Sequence, residues 1–444
     1  MPYLANFKNS SAIVSSSILI CVLFLTENNN DDYNAYSTLS KDCTADICEV
    51  PTVGDDDLKV ELVSSGLKIP TTMAFLDDND ILVLELNGTI RRILDNVLQP
   101  EPLLDVNVSK ITGERGLLGI SISKNISGHT YIFLYYTESR TDNGEPLGNR
   151  LYRYELINNS LLNPTLLLDL PAYPGPYHNG GAITIGPDNN IYLPIGDLDN
   201  VDDEESPTTL AQNIEGGQQP NGAGGILRVD QNGNIVKGGL IGSEDPLNLY
   251  YAYGIRNSFG IDFDPVTGNL WDTENGPNYG DEINLVEPGF NSGWKRVQGI
   301  WKDENGKIGG IASETPANLV DFGERGNYST PEFTWEDRYG PTAIKFLDSD
   351  KLGKKYMNDM FVGDVLNGNI YHFELNEQRT KLLLDGVLQD NVADDDDELA
   401  EIIFGYGFDG GITDLEVGPD GYLYILSGAW SDEGKIYRLA PLSD

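Results

Sequence analysis

The sequence predicts an all-β fold, a six-bladed β-propeller, on three observations. Glycine (49), proline (23) and tyrosine (23) are plentiful in the 444 residues, and no long stretch repeats apolar residues at helical spacing. A unit of turn, strand, turn and strand recurs with even texture from Leu58 onward. About six such units fill roughly 385 residues, which suits four-stranded blades with long connecting loops. Radial repetition covers sheet edges and gathers loops over a central channel. A pair of β-sandwiches is the alternative arrangement.

The elements follow in order. Ser11–Leu25 is an apolar run preceded by Lys8 and followed by Thr26-Glu27-Asn28, so residues 1–26 read as a signal peptide or membrane anchor. The run is short for a bilayer span. Residues 27–57 are polar and acidic and read as a linker or arm, and 58–444 as the propeller. Asp77–Leu84 leading to Gly88–Arg91 is the first turn-and-strand unit, and Thr130–Leu156 supplies a paired-strand unit. Gly186-Pro187-Asp188 to Leu193 and Asp264–Trp271 follow, then Asp359–Val362 with Gly368–Tyr371, then Gly418-Pro419-Asp420 to Ile425. Leu58–Ser64 is the strand expected to join the last blade and close the ring. The acidic run Asp394–Glu398 reads as a solvated loop, since it lacks the glycine and alternate spacing of an EF-hand.

The net charge is −41, a field that repels nucleic acid and anionic lipid and makes any anionic ligand expensive to hold without local cations. Membrane contact is expected only through the N-terminal run. Cys43 and Cys48 lie five apart and the propeller has no cysteine, which fits a small-loop disulfide outside the cytoplasm and hence an exported protein. Cys21 lacks the small residue that precedes a lipidated cysteine.

The chain has three histidines, and His178 opens the most informative stretch. His178-Asn179-Gly180-Gly181 stands between a Gly/Pro-rich loop and a strand, where an imidazole suits general-base work near neutral pH. Asp197 lies 19 residues on, past the Ile191–Ile195 strand. A strand returning beside the His178 loop lets that carboxylate orient the ring and stabilise its protonated form. A loop histidine and a turn aspartate are the plainer reading.

Arg256-Asn257 offers a guanidinium fork beside an amide, suited to an oxyanion or quinone oxygen. Gly276-Pro277 marks a loop with outward carbonyls, and with Asp281 or Glu282 nearby these suit a hard cation such as Ca²⁺. Polar inter-strand loops held by Asx turns look the same in sequence. Trp335 is a candidate for stacking on a planar ligand, or a core residue.

Together with Gly113-Glu114-Arg115-Gly116-Leu117-Leu118-Gly119, these motifs resemble the soluble sugar dehydrogenases of the glucose/sorbosone dehydrogenase-like family. That family uses pyrroloquinoline quinone (PQQ) and calcium on a six-bladed propeller. The resemblance runs from about residue 60 to 440. It implies His178 as general base, Asp197 as its orienting acid, and Arg256 and Asn257 at the quinone's reactive carbonyls. It implies the Gly276 and Pro277 carbonyls as calcium ligands, with Glu282 and Ser292 at a separate structural calcium. Glu114 stands where the family often has a glutamine near the cofactor. The implied reaction is oxidation of an aldose or polyol hydroxyl, with electrons passed on to an external acceptor.

The sequence also departs from the family. PQQ carries three carboxylates, and the cations expected to meet them are replaced by Asn367, Gly411 and Thr413. Each lost charge-assisted hydrogen bond forfeits about 1.5–3 kcal/mol. Arg115, Arg338 and Lys345 are the candidates to compensate. The deficit keeps two alternatives open: a non-catalytic propeller that binds glycan or protein, and a calcium-dependent lactone hydrolase.

Overall fold

Strands make up nearly all the regular structure of the computed structural model, which describes residues 51–110, 113–126, 128–199, 209–237, 239–300, 318–429 and 431–442. The apolar N-terminal run and all three cysteines lie outside the described residues.

The described strands pair into six sheets. Each sheet has one strand against the molecular axis: Pro70–Asp77, Leu117–Ile126, Thr184–Ile185, Ser258–Phe263, Pro341–Phe346 and Ile412–Val417. These strands meet in succession around a ring. Pro70–Asp77 packs on Leu117–Ile126, which packs on Thr184–Ile185, whose sheet reaches Ser258–Phe263 through Ile191–Ile195. Ser258–Phe263 meets Pro341–Phe346, which meets Ile412–Val417, which returns to Pro70–Asp77. The expected all-β propeller therefore forms.

The packing explains the sequence texture. Middle strands such as Ile191–Ile195, Leu270–Glu274, Met360–Asp364 and Leu423–Ser427 are buried along their whole length. Both faces of each sheet press on neighbours, so the strands read as continuous runs rather than as alternation. Six apolar clusters result, each shared by two consecutive sheets. One joins Leu82, Leu84 and Ile90 to Leu117, Ile132 and Leu134. Another joins Leu426 and Ile436 of the last sheet to Met73, Ile81 and Val83 of the first.

The turns repeat at atomic detail. Asp188 accepts from the Asn190 backbone N–H at 3.1 Å and from the Tyr192 hydroxyl at 2.9 Å. Asp420 does the same for Tyr422 and Tyr424, at 3.2 and 2.9 Å. Gly-Pro-Asp followed by a tyrosine four residues on is thus an Asx turn that pins its own strand.

Closure comes where the sequence places it. Leu58–Leu67 runs antiparallel to Gly434–Pro441, with Val60 opposite Leu439 and Leu62 opposite Tyr437. The arm expected up to residue 57 already contributes a strand: Thr52 and Val53 pair with Tyr406 and Gly405. The acidic run is not a loop. Asp395 N-caps the helix Asp396–Ala400, accepting from Glu398 N–H at 2.9 Å, while Glu398 accepts from Asp394 N–H at 2.9 Å. Carboxylates gathered at a helix N-terminus satisfy its orphan donors and complement its dipole.

Candidate active site

Three loops converge at one end of the ring. His178 enters after the strand Ser160–Leu170, Asp197 follows Ile191–Ile195, and Arg256-Asn257 precede Ser258–Phe263. Gly196 permits the approach: a Cβ there would lie 2.4 Å from the Arg256 carbonyl oxygen and 2.7 Å from that of His178. The Asp197 N–H donates to the Arg256 carbonyl at 2.9 Å, tying two of the loops.

His178 sits at φ 59°, a left-handed conformation that costs a non-glycine residue about 1–3 kcal/mol. The surroundings hold it there. Its N–H donates to Glu114 Oε2 at 2.7 Å. Its neighbour Asn179 is buried, accepts from Asn149 at 2.9 Å and from the Tyr135 hydroxyl at 2.8 Å, and donates to the Pro176 carbonyl at 2.6 Å.

The ring and its acid are both buried, 5% and 4% exposed. His178 Nδ1 and Asp197 Oδ1 are 2.6 Å apart. Burial pushes the Asp197 carboxyl up, but His178, Arg256 and the Trp294 indole outweigh it and hold the group below its usual range. With Asp197 ionised, Nδ1 carries the proton and Nε2 is left as the basic nitrogen. Nε2 has no partner among the described residues.

Arg256 is tied on two sides. Its N–H donates to Glu274 Oε1 at 2.6 Å, and its Nη1 donates to the Asn275 and Gly276 carbonyls at 2.7 and 2.8 Å. Arg256 Nε, Asn257 Oδ1 and Asn275 Oδ1 are buried without hydrogen-bond partners. Orphaned polar atoms gathered at one loop pair mark a place where a polar ligand belongs.

Several sequence expectations change here. Glu114 Oε2 serves His178 N–H and, at 3.4 Å, the Asn257 amide, so this carboxylate first positions the base. Asp281 is no cation ligand: it accepts from Gly276, Tyr339 and Gly340 N–H groups at 2.7–2.8 Å. Trp335 is core rather than a stacking platform, fully buried against Phe333, Tyr371 and Phe373. Asn367 is exposed on a loop whose N–H groups cap Asp364.

The residues named for calcium are engaged within the protein. The Gly276 carbonyl already receives the Arg256 guanidinium, and a second cation there meets its repulsion. Pro277, beside it, is partly exposed. Glu282 accepts from Gln298 and Gly299 on one oxygen and from Asn284 on the other, and Ser292 Oγ, whose proton goes to Glu274, lies 3.3 Å from that second oxygen. Among the described residues no three His, Cys, Asp or Glu converge on a metal position. Chelation with EGTA is therefore expected to leave the melting temperature of the cofactor-free protein unchanged. A drop of several degrees, reversed by calcium, counts against this assignment.

Beneath the Arg256 loop lies a group that sequence reasoning missed. Asp272, Glu274 and Glu282 are buried together, with Ser258 and Asn284 as the polar neighbours of Asp272. Glu274 accepts from Ser292 at 2.7 Å. Burial pushes all three above the usual carboxylate range, with repulsion inside the group adding to it for Glu274 and Glu282; Asp272 rises to about 7 and Glu282 to about 8. Acids raised in the folded state hold protons that the unfolded chain gives up, so stability falls as pH rises from about 4 to 8. Each group removes up to about 1.4 kcal/mol per pH unit over its own window. Thermal unfolding from pH 4.5 to 8.5 is expected to show this fall, and Asp272→Asn to flatten it. An identical slope in the variant would contradict the assignment.

The compensating cations are also accounted for. Arg115 is buried and donates to the Ala172 and Gly175 carbonyls. Lys345 is held by Glu416 at 2.9 Å and Asp262 at 3.5 Å. Arg338 is exposed beside the loop that Asp281 caps.

The family model for glucose/sorbosone dehydrogenase matches residues 67–438. The chain belongs to the glucose/sorbosone dehydrogenase family. Within that family it is 25% identical to the aldose sugar dehydrogenase YliI of Escherichia coli (strain K12) over 392 residues, covering 86% of this chain and 93% of the relative. It is 30% identical to quinoprotein glucose dehydrogenase B of Acinetobacter calcoaceticus over 267 residues, 55% of this chain and 54% of the relative. Among solved structures, the apo aldose sugar dehydrogenase of Escherichia coli superposes with a TM-score of 0.67 at 24% identity, covering 86% of this chain and 99% of that one. The PQQ-bound aldose sugar dehydrogenase of Streptomyces coelicolor gives 0.61 at 21%, covering 88% and 99%. These two likenesses speak to the fold, which is that of the family.

Proposed function

We propose that the chain is a quinoprotein that oxidises the hydroxyl of an aldose sugar or polyol. The observation that carries this reading is the His178 imidazole, fixed by Asp197 with Nε2 unpartnered, beside the Arg256-Asn257 loop with its orphaned polar atoms. Those atoms fit the reactive edge of PQQ, which Arg256 and Asn257 would hold. The names of the relatives, an aldose sugar dehydrogenase and a quinoprotein glucose dehydrogenase, support the same chemistry.

PQQ, when bound, supplies the two-electron acceptor for the hydride of the substrate carbon. His178 Nε2 accepts the proton of the substrate hydroxyl. Asp197 holds the ring in the Nδ1–H tautomer and stabilises the imidazolium that forms. Arg256 offsets the negative charge that develops opposite it. Two further elements belong to the proposal. Each of the six sheets is one blade, supported by the closed ring of strand contacts. The protein is exported, supported by the Ser11–Leu25 run and the Cys43/Cys48 spacing.

The test is direct. Purified protein with PQQ, a sugar panel and an artificial electron acceptor should turn over and should melt higher with PQQ than without. A second reading, a non-catalytic propeller, is favoured by the missing cations at Asn367, Gly411 and Thr413. It predicts neither turnover nor a quinone-induced rise in melting temperature.

A further inference from the structure

Asp197 is engaged on both oxygens. Oδ1 takes His178, and Oδ2 accepts from the Trp294 indole N–H at 2.6 Å. The indole, 4% exposed, also lies under the Arg256 guanidinium, 5.4 Å from ring centroid to guanidinium carbon, within cation–π range. One side chain therefore touches both the acid that orients the imidazole and the cation beside it.

Trp294 is itself held from behind. Its backbone N–H donates to the Gly254 carbonyl at 3.0 Å, and its backbone carbonyl accepts from the Asn213 amide at 2.8 Å. Asn213 and Asn291 exchange paired amide hydrogen bonds, both 2.8 Å. Lys295 N–H donates to the Gln212 carbonyl at 2.8 Å, and the Gln212 amide donates to the Asp197 carbonyl at 3.3 Å. The Asn291–Val297 turn and the Thr209–Asn213 turn thus form a bracket whose tip is the indole.

We propose that Trp294 is a positioning residue. Its N–H fixes Asp197 Oδ2, and so the Nδ1–H tautomer and tilt of His178, while its ring face steadies Arg256. A carboxylate with one oxygen unpartnered in a buried site rotates or draws in water, and the imidazole it steers loses its aim. The inference rests on His178 being the base, but the geometry it describes exists without cofactor or substrate.

The experiment uses Trp294→Phe, which keeps a flat ring and removes the donor. The readout in cofactor-free protein is the low-field His178 Nδ1–H proton resonance, assigned by its disappearance in His178→Gln. In Trp294→Phe the resonance is expected to move upfield by more than about 1 ppm or to broaden away. With PQQ and acceptor, kcat is expected to fall about tenfold, near the effect of one charge-assisted hydrogen bond, with sugar KM within about twofold. Trp271→Phe is the control. Trp271 is a fully buried core residue whose indole N–H has no partner, and its replacement should lower the melting temperature without moving the resonance. An unmoved resonance in Trp294→Phe overturns the proposal, as does an equal loss of kcat in both variants. If the wild type oxidises no sugar, a resonance lost only in Trp294→Phe still upholds the bracket while the dehydrogenase reading fails.

Discussion

Replacing His178 with glutamine is expected to lower kcat by about 10²–10⁴-fold, the range for removing a positioned general base. Glutamine keeps a hydrogen-bonding tip but has no nitrogen that takes a proton near neutral pH. The fold should survive, because the backbone at position 178 is held through its N–H by Glu114 and through Asn179 by Asn149 and Tyr135. The melting temperature is expected to drop by a few degrees at most, reflecting the lost contact to Asp197. Turnover assayed with saturating quinone and sugar checks the first part, and calorimetry the second. Retention of more than a tenth of wild-type kcat would show that the proton leaves by another route.

The second large effect concerns the acid end of the quinone. Thr413→Arg is expected to tighten quinone binding about tenfold to a hundredfold, the equivalent of one added charge-assisted hydrogen bond of about 1.5–3 kcal/mol. Thr413 lines the central channel with Thr72 and Thr342, so a longer side chain there has an opening to enter. Gly411→Arg should not help. Gly411 lies at φ 77° and a Cβ there would sit 2.0 Å from the Val365 carbonyl oxygen, so the substitution costs backbone strain before any cation is gained. Isothermal titration of both variants with quinone distinguishes them. Equal tightening by both would mean that the Val365 loop moves freely, and no tightening by Thr413→Arg would mean that the cofactor's acids lie elsewhere.

Much of this was legible in the sequence because it is local. Gly-Pro-Asp turns with a tyrosine four residues on announce themselves, and His178 and Asp197 are read together because only two short strands, Thr184–Ile185 and Ile191–Ile195, separate them. The carboxylate group was legible in principle. Asp272 and Glu274 alternate along a strand whose register sets Asn284 and Glu282 opposite them, and a period of two places them on one face. Trp294 was not legible, since its partner Asp197 is 97 residues away in the chain and a Gly-Trp turn resembles any other. Trp335 stayed open between ligand and core for the converse reason. An aromatic that plugs a core and one that faces a ligand carry the same letter, and only the neighbours Phe333, Tyr371 and Phe373 tell them apart.

The apolar clusters carry a consequence for how the molecule comes apart. Each is co-owned by two adjoining sheets, and the last is completed by residues from opposite ends of the described chain, such as Met73 and Ile436. Peeling away one sheet bares two greasy surfaces at once, so partial melting is penalised from both sides. The molecule should accordingly lose its structure in a single sharp step on heating. Deletion of Leu58–Leu67, far from any chemistry, should unlatch the circle as surely as damage at its centre.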